Sequence, residues 1–243
     1  MRILAIVQYD GTNYSGWQVQ PSSASIQSTI EDAFKKILSR EIKIYGSGRT
    51  DTGVHAQGQT FHFDLDENLD LEKLRYSLNS VLPSDIRLLS FKEVSEDFHA
   101  RHSAKSKTYQ YILNLGEKNV FTNKYEEQFN KPLNIDEIRK AAQVFEGKHC
   151  FQNFTTKEED QDNFIRTINC INVEFTSEKR LIIRFNGDGF MRYMIRFLVG
   201  TLIQVGIGKL SVSDIEYLLT KKERLPVSYK ASAKGLSLEE VIY

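Results

Sequence analysis

Ile42-Lys43-Ile44-Tyr45-Gly46-Ser47-Gly48-Arg49-Thr50-Asp51-Thr52-Gly53-Val54-His55-Ala56-Gln57-Gly58-Gln59-Thr60-Phe61-His62-Phe63-Asp64-Leu65 holds two alternating apolar runs with a glycine-rich polar segment between them. Ile42 and Ile44 on one side, and Phe61, Phe63 and Leu65 on the other, recur every second residue, the period of a strand with one buried face. The spacing predicts strands over 41–46 and 58–65 joined by a loop. Gly46, Gly48, Gly53 and Gly58 allow positive φ and close backbone approach, so the polar side chains between them are presented instead of packed away. Arg49 and Asp51 stand two residues apart, on one face wherever the chain is extended, where the guanidinium would hold the carboxylate ionised. A tight turn with a surface ion pair is the plainer reading of the same residues.

Before this stretch, residues 2–9 alternate as a strand and end at the turn Tyr9-Asp10-Gly11. The segment Asn13-Tyr14-Ser15-Gly16-Trp17-Gln18 is a polar-aromatic loop. Ile26, Ile30, Ala33, Phe34, Ile37 and Leu38 keep the helical period, which predicts an amphipathic helix over 26–38. After the stretch, Leu71, Leu74, Leu78 and Leu82 predict a helix stopped by Pro83, and 86–94 reads as a strand. The order β-α-β-β-α-β is the split βαβ, or ferredoxin-like, unit. The second half repeats it: a strand over 108–115, a helix over 134–145 with Asn134-x-x-Glu137 as a capping box and Gly147 as its stop, strands over 165–175 and 181–185, a helix over 190–205 and a closing strand over 236–243. An extra helix opening with Ser213-x-x-Glu216 precedes that last strand. The halves share no identity, only the succession of elements. The expected fold is therefore α+β, two ferredoxin-like halves (1–100 and 101–243) joined into one mostly antiparallel sheet, with helices on one face and a binding cleft on the other.

The 243 residues suit one large domain or two small ones, and 40% hydrophobic content suffices for a core. Cys150 and Cys170 lack C-x-x-C spacing, which argues against a disulfide framework or a zinc site and fits a reducing cytosol. No apolar run approaches the ~20 residues that span a bilayer, so a soluble cytoplasmic protein with no membrane partner is expected. Thirty-two basic residues balance thirty-two acidic ones, yet the distribution is uneven. Acid gathers in 64–72, 93–97 and 158–162, base in 101–107, 179–196 and 221–234, so a neutral total can hide a basic face.

Two further stretches carry candidate chemistry. From Phe98 to Tyr111, Arg101, His102, Lys105 and Lys107 run into a strand with Tyr109 and Tyr111. Cations that track phosphates beside rings that stack on bases are what unstacked RNA calls for, while a solvated connector and a core tyrosine are the bland equivalent. His99 and His102 stand three apart without a carboxylate or cysteine near them in sequence, which makes a metal site a minor alternative. From Phe190 to Gly200 the helix is apolar nearly all round, and Arg192 and Arg196 lie one turn apart on it. A buried arginine needs a carboxylate partner, and Asp51 is our choice; a structural pair elsewhere would satisfy it too. Asp51-Thr52-Gly53 is also the triplet of aspartic proteases, but these pair two copies on all-β chains, and this chain has one copy and several helices.

Taken together, these stretches resemble the tRNA pseudouridine synthase A (TruA) family. The match is collinear over essentially the whole chain: Tyr9-Asp10-Gly11-Thr12-x-Tyr14-x-Gly16-Trp17-Gln18, Gly48-Arg49-Thr50-Asp51-x-Gly53-Val54-His55-Ala56, Phe98-x-Ala100-Arg101, Lys107-x-Tyr109-x-Tyr111, Arg166-x-Ile168, Phe190-x-x-x-Met194-Ile195-Arg196 and Gly235-Leu236-x-Leu238. The resemblance implies two ferredoxin-like halves, a homodimer, tRNA as substrate at anticodon-arm positions 38 to 40, and no metal or cofactor. It implies that Asp51 is the catalytic aspartate, Tyr109 the active-site tyrosine, Arg196 the arginine that pairs with the aspartate, Leu236 part of an apolar pocket floor and Arg49 an arginine that helps displace the target base. Arg101, Lys107, Tyr14 and Trp17 join the expected substrate contacts. Lys148 to Thr155 and Ala231-Ser232-Ala233-Lys234 depart from the family pattern, and neither stretch includes Asp51, Tyr109 or Arg196. The alternatives are a relative acting on another tRNA or ribosomal RNA uridine, or a non-catalytic RNA-binding module.

Overall fold

In β1 (Arg2–Tyr9) the residues Ile3, Ala5, Val7 and Tyr9 are buried while Arg2, Leu4, Ile6 and Gln8 are less so, the alternation a strand shows when one face packs on a core. The computed structural model describes residues 1–66, 69–156, 164–221 and 223–243. They form two compact units, Met1–Lys105 with Ser237–Tyr243, and Ser106–Leu236. The acidic run expected over 158–162 lies outside the described residues.

In the first unit β1 lies between β3 (His55–Asp64) and β4 (Ile86–Val94), antiparallel to both, with Ala5 opposite Phe61 and Phe91. β2 (Tyr45–Gly46) adds to the outer side of β3, antiparallel, with Tyr45 opposite His62. This is the β4-β1-β3-β2 order of a ferredoxin-like unit. The last strand, β10 (Leu236–Ile242), pairs in parallel with the start of β3, Ser237 opposite His55, so residues from Ser237 onward group with this unit instead of with the half that precedes them. α1 (Ile26–Leu38) buries Ile26, Ile30, Ala33 and Phe34, and the Phe34 ring sits 4.8 Å from that of Phe63. Ser25 and Ser28 close a reciprocal capping box at its start, and Ser39, at φ 55°, ends it. α2 (Leu71–Val81) is capped by the Asp70 carboxylate, which accepts from the amides of Glu72 and Lys73.

The strand expected over 41–46 survives only as the two residues of β2. Ile42 and Ile44 are buried as the alternation requires, but α1 takes the backbone of Ile44: its N–H donates to Glu31 Oε1 at 3.2 Å and its carbonyl accepts from Gln27 Nε2 at 3.2 Å. Periodicity reports which face is buried, and the hydrogen-bond partner decides whether the segment is a strand.

The second unit contains β5 (Ser106–Asn114), β6 (Glu127–Gln128), α3 (Ile135–Val144), β7 (Gly147–Cys150), β8 (Ile165–Phe175), β9 (Arg180–Gly187), α4 (Met194–Gly206) and α5 (Val212–Thr220). Its strands run β5-β9-β8-β7, antiparallel throughout, and β6 pairs in parallel with β5. Each unit is thus α+β with a mostly antiparallel sheet, and the described residues hold five α-helices in all. In α4 every residue but Arg196 and Gln204 is buried, as its apolar circumference predicts. The helix begins four residues later than expected because Tyr193 takes φ 60°, a left-handed conformation that interrupts helical winding. At α3 Asn134 accepts from the Glu137 amide, as expected. At α5 the capping pair is Ser211 with Asp214 instead of Ser213 with Glu216, so the helix starts earlier.

Candidate active site

The segment between β2 and β3 owes its shape to a second loop of the same unit, residues 10–18. Trp17 N–H donates to the Thr50 carbonyl at 3.1 Å, and Gly53 N–H donates to the Tyr14 carbonyl at 3.3 Å. Val54 N–H closes a turn onto the Asp51 carbonyl at 3.1 Å. Gly16, at φ +90°, lies so close that a β-carbon on it would meet the Thr50 carbonyl oxygen at 2.4 Å; one on Gly11 would meet the Val54 oxygen at 2.0 Å. Only glycine fits at either point, and Gly16 also needs a backbone angle that other residues rarely take. Beneath the loop the Tyr9 hydroxyl and Thr50 Oγ1 share a buried 2.8 Å hydrogen bond. Ser47 Oγ donates to Gln59 Oε1 at 2.7 Å while Gln59 Nε2 donates to the Gly48 carbonyl at 3.0 Å, so one glutamine of β3 holds two consecutive residues where the loop begins. Burial raises the Tyr9 phenol well above its ordinary range, so this brace stays neutral at any physiological pH. Asp51, half-buried, is carried on a backbone fixed on both sides.

Three expectations for this loop cluster change. Arg49 is exposed and its Nε donates to Gln18 Oε1 at 3.1 Å, so it does not clamp the Asp51 carboxylate. Trp17 is 2% exposed and packs between Tyr9 and Phe61, with ring centroids 6.2 and 6.0 Å away. Gly46 allows that packing, since a β-carbon there would meet the indole at 2.6 Å. Tyr14 is buried too, though less completely, and its hydroxyl donates to Asp85 Oδ1 at 2.7 Å. Burial, and after it the Asp85 carboxylate, raises the Tyr14 phenol. Both rings are buried within the unit and position the loop, where the resemblance implied substrate contacts.

In the second unit Tyr109 lies on β5 opposite Phe185 of β9, is 8% exposed, and meets the Phe190 ring edge-on at 5.4 Å. Lys107, half-buried, stands two residues earlier on the same strand face. Arg196 occupies the first turn of α4. Its Nε donates to the Ala231 carbonyl at 2.8 Å, and the Ala231 N–H returns a bond to the Arg196 carbonyl at 2.9 Å. The chain continues from Ala231 past the Ser232 carbonyl, which accepts from Tyr111 hydroxyl at 3.1 Å, to Gly235 and the buried Leu236. Arg196, Tyr111 and Leu236 are therefore tied through one short segment, 231–236, which holds one of the departures from the family pattern. The other departure, 148–155, is an internal brace. Asn153 binds the backbone of Leu218, Leu225 and Val227, Gln152 Nε2 donates to the Lys221 carbonyl, and Thr155 Oγ1 donates to the Arg192 carbonyl at 3.0 Å.

Arg101 is exposed in the first unit, just past Ala100, whose N–H donates to His62 Nδ1 at 3.2 Å. His62 is buried, stacks on Tyr45 at 5.0 Å, and leads through His99 at 4.7 Å to His102 at a further 4.4 Å. Burial, and then His99, lowers the His62 imidazole to about 4. Among the described residues no three His, Cys, Asp or Glu side chains are grouped to hold a metal ion. No helix among them is long and apolar enough to cross a membrane. Lys230 Nζ lies 4.4 Å from the centroid of the Tyr193 ring, a contact that no local pattern in the sequence shows, although Lys230 falls within one of its basic runs.

A sequence model described as tRNA pseudouridine synthase matches residues 5–103 and 141–243. The tRNA pseudouridine synthase A of Streptococcus uberis (strain ATCC BAA-854 / 0140J) is 40% identical over 245 residues, covering 100% of this chain and 98% of that protein. That of Thermoanaerobacter sp. (strain X514) is 39% identical over 242 residues, 99% of each. One chain in a crystal structure of an archaeal box H/ACA sRNP complex aligns at 14% identity and a TM-score of 0.37, covering 83% of this chain and 44% of that one, too loose a likeness to carry an argument.

Proposed function

We propose that this chain, which belongs to the tRNA pseudouridine synthase family and is an isomerase, converts uridine to pseudouridine in the anticodon stem-loop of tRNA, at positions 38 to 40, with Asp51 as the catalytic carboxylate. The reaction breaks N1–C1′, turns the uracil and joins C5 to C1′; C5 gives up a proton and N1 gains one. It is redox-neutral and releases nothing, so a protein carboxylate, a cation and a ring suffice. Asp51 serves the step at C1′, where positive charge develops as the glycosidic bond opens. Arg196 is assigned the cation that keeps the reacting carboxylate ionised, and Tyr109 the ring that receives the detached uracil, its hydroxyl serving the C5 proton. The target nucleotide must leave its stack, at a cost of a few kcal/mol. Arg49, Arg101 and Lys107, the first two exposed, are assigned to the RNA that offsets that cost. A cytoplasmic homodimer completes the proposal.

One observation carries the reading of Asp51: the residue is half-buried in a loop that two glycine contacts and a buried hydroxyl pair hold in one shape. A surface turn would not need them. The test is to incubate the protein with unmodified tRNA transcripts and ribosomal RNA and to map pseudouridine at nucleotide resolution beside Asp51→Ala. We expect product at positions 38 to 40, none with the variant, and retained RNA affinity in both. Product elsewhere replaces the target and keeps the chemistry. RNA binding without product on any RNA sinks the enzymatic reading, and an active Asp51→Ala removes Asp51 from its role.

A further inference from the structure

We propose that Arg192, Lys230 and the ring of Tyr193 form a seat for one backbone phosphate of the RNA substrate, beside Arg196; the choice of RNA as the ligand rests on the function proposed above. Tyr193 takes φ 60°, one of only three positive-φ residues other than glycine among the described residues. An aromatic side chain rarely holds that conformation, and where one does the surroundings must over-determine it. Here the surroundings are cations. Arg192 Cζ lies 4.9 Å from the ring centroid, Arg196 Cζ 5.3 Å and Lys230 Nζ 4.4 Å. Each pair of charges is therefore within about 10 Å, roughly one Debye length at 0.1 M salt, and their repulsion is not fully screened.

A ring attracts a cation without neutralising it. Arg192 and Lys230 make no ion pair among the described residues, and the one hydrogen bond of the Arg192 side chain among them runs from Nη2 to the Tyr193 hydroxyl at 3.2 Å. Both are exposed, with donors left over. Arg196 differs: its Nε is committed to the Ala231 carbonyl, which fixes the guanidinium against the ring. No side chain caps the start of α4, so the positive end of that helix adds to the same field. The ring gathers the cations, and the helix start and two free side chains leave net positive charge. An anion with several acceptor oxygens resolves it, and a phosphate suits both the guanidinium fork and the three-donor ammonium. Since Arg196 belongs to the reaction, the phosphate seated beside it belongs to a nucleotide near the target.

The test is the double variant Arg192→Gln, Lys230→Gln, compared with wild type for binding of a fluorescently labelled tRNA transcript by anisotropy across a KCl series. Loss of one phosphate contact predicts a roughly tenfold weaker complex at low salt and a slope of log K against log [KCl] shallower by about 0.7 to 0.9. Lys36→Gln, an exposed lysine of α1, controls for net charge and should leave the slope unchanged. Equal affinity and slope in the double variant would overturn the seat. So would a loss of the same size at every salt concentration, which a structural defect gives, or competition by inorganic phosphate at constant ionic strength as effective as by unlabelled tRNA. Pseudouridine mapping with wild type runs in parallel: product with an unchanged slope removes the seat alone, and no product with the predicted slope change removes the enzymatic reading alone.

Discussion

Each unit places the residue we assign to the reaction by letting two backbones touch where a glycine has no β-carbon. In the first, Gly16 lies against the carbonyl of Thr50, the residue before Asp51. In the second, Gly200 lies against the carbonyl of Tyr229, one helical turn after Arg196, where a β-carbon would meet the oxygen at 2.0 Å. The direction of control is opposite. Asp51 sits on a loop that has no internal ladder, so another loop must hold it, and Gly16 takes φ +90° to do so. Arg196 sits on a helix buried nearly all round, so the helix is the fixed part and it shapes the segment 229–231 through the paired bonds between Arg196 and Ala231. A loop carboxylate needs both a special backbone angle and space, while a helical arginine needs only space.

This difference orders the substitutions. Gly16→Ala meets both obstacles, about 1 to 2 kcal/mol for the left-handed conformation and 1 to 3 for the overpacking, so urea denaturation should show a loss of about 3 kcal/mol. A displaced Asp51 should lower pseudouridine formation about 100-fold, since an ångström of misplacement has that effect. Gly200→Ala meets the steric obstacle alone, and about 2 kcal/mol is expected. Equal losses from the two alanines would show that the angle at Gly16 costs nothing and would break the contrast.

Neutral packing in the first unit predicts acid sensitivity without a salt bridge. His62 is buried neutral, with Nδ1 accepting the Ala100 amide, so a proton on Nδ1 would face an N–H. Its folded-state value of about 4 lies below the unfolded 6.5, so the unfolded chain binds more protons between those limits. Stability is therefore fully present above pH 6.5 and is lost as the pH falls toward 4. From pH 6.5 to 5 this residue should account for about 1.5 kcal/mol. Denaturation of His62→Gln over the same range should show a flatter profile, and a parallel profile would assign the pH dependence elsewhere. The smallest effect expected is that of Tyr9→Phe. It leaves the Thr50 hydroxyl without its buried partner, at about 1 kcal/mol by thermal or urea unfolding. A change near zero would show that the glycine contacts alone hold the loop.

Local periodicity determined much of this protein from the sequence. α1, β4 and β8 fall on the residues that their apolar spacing marks, because a helix or strand turns by a fixed angle per residue and burial must follow it. The Asp51 loop was legible because glycines and polar residues between two strand patterns have little else to do. Tertiary structure alone decided which aromatic was a surface and which a core. Trp17 fits beneath the loop because Gly46, far off in sequence, leaves it room. Ile44 lost its strand to side chains of α1, and β10 found its parallel partner in β3 across most of the chain. The ring of Tyr193 gathered Lys230 from beyond α5. The sequence by itself determined where backbone could be regular and where it had to bend. Which groups then met was decided by the fold, because a hydrogen bond or a ring contact acts between neighbours in space, and the chain's order carries no record of that distance.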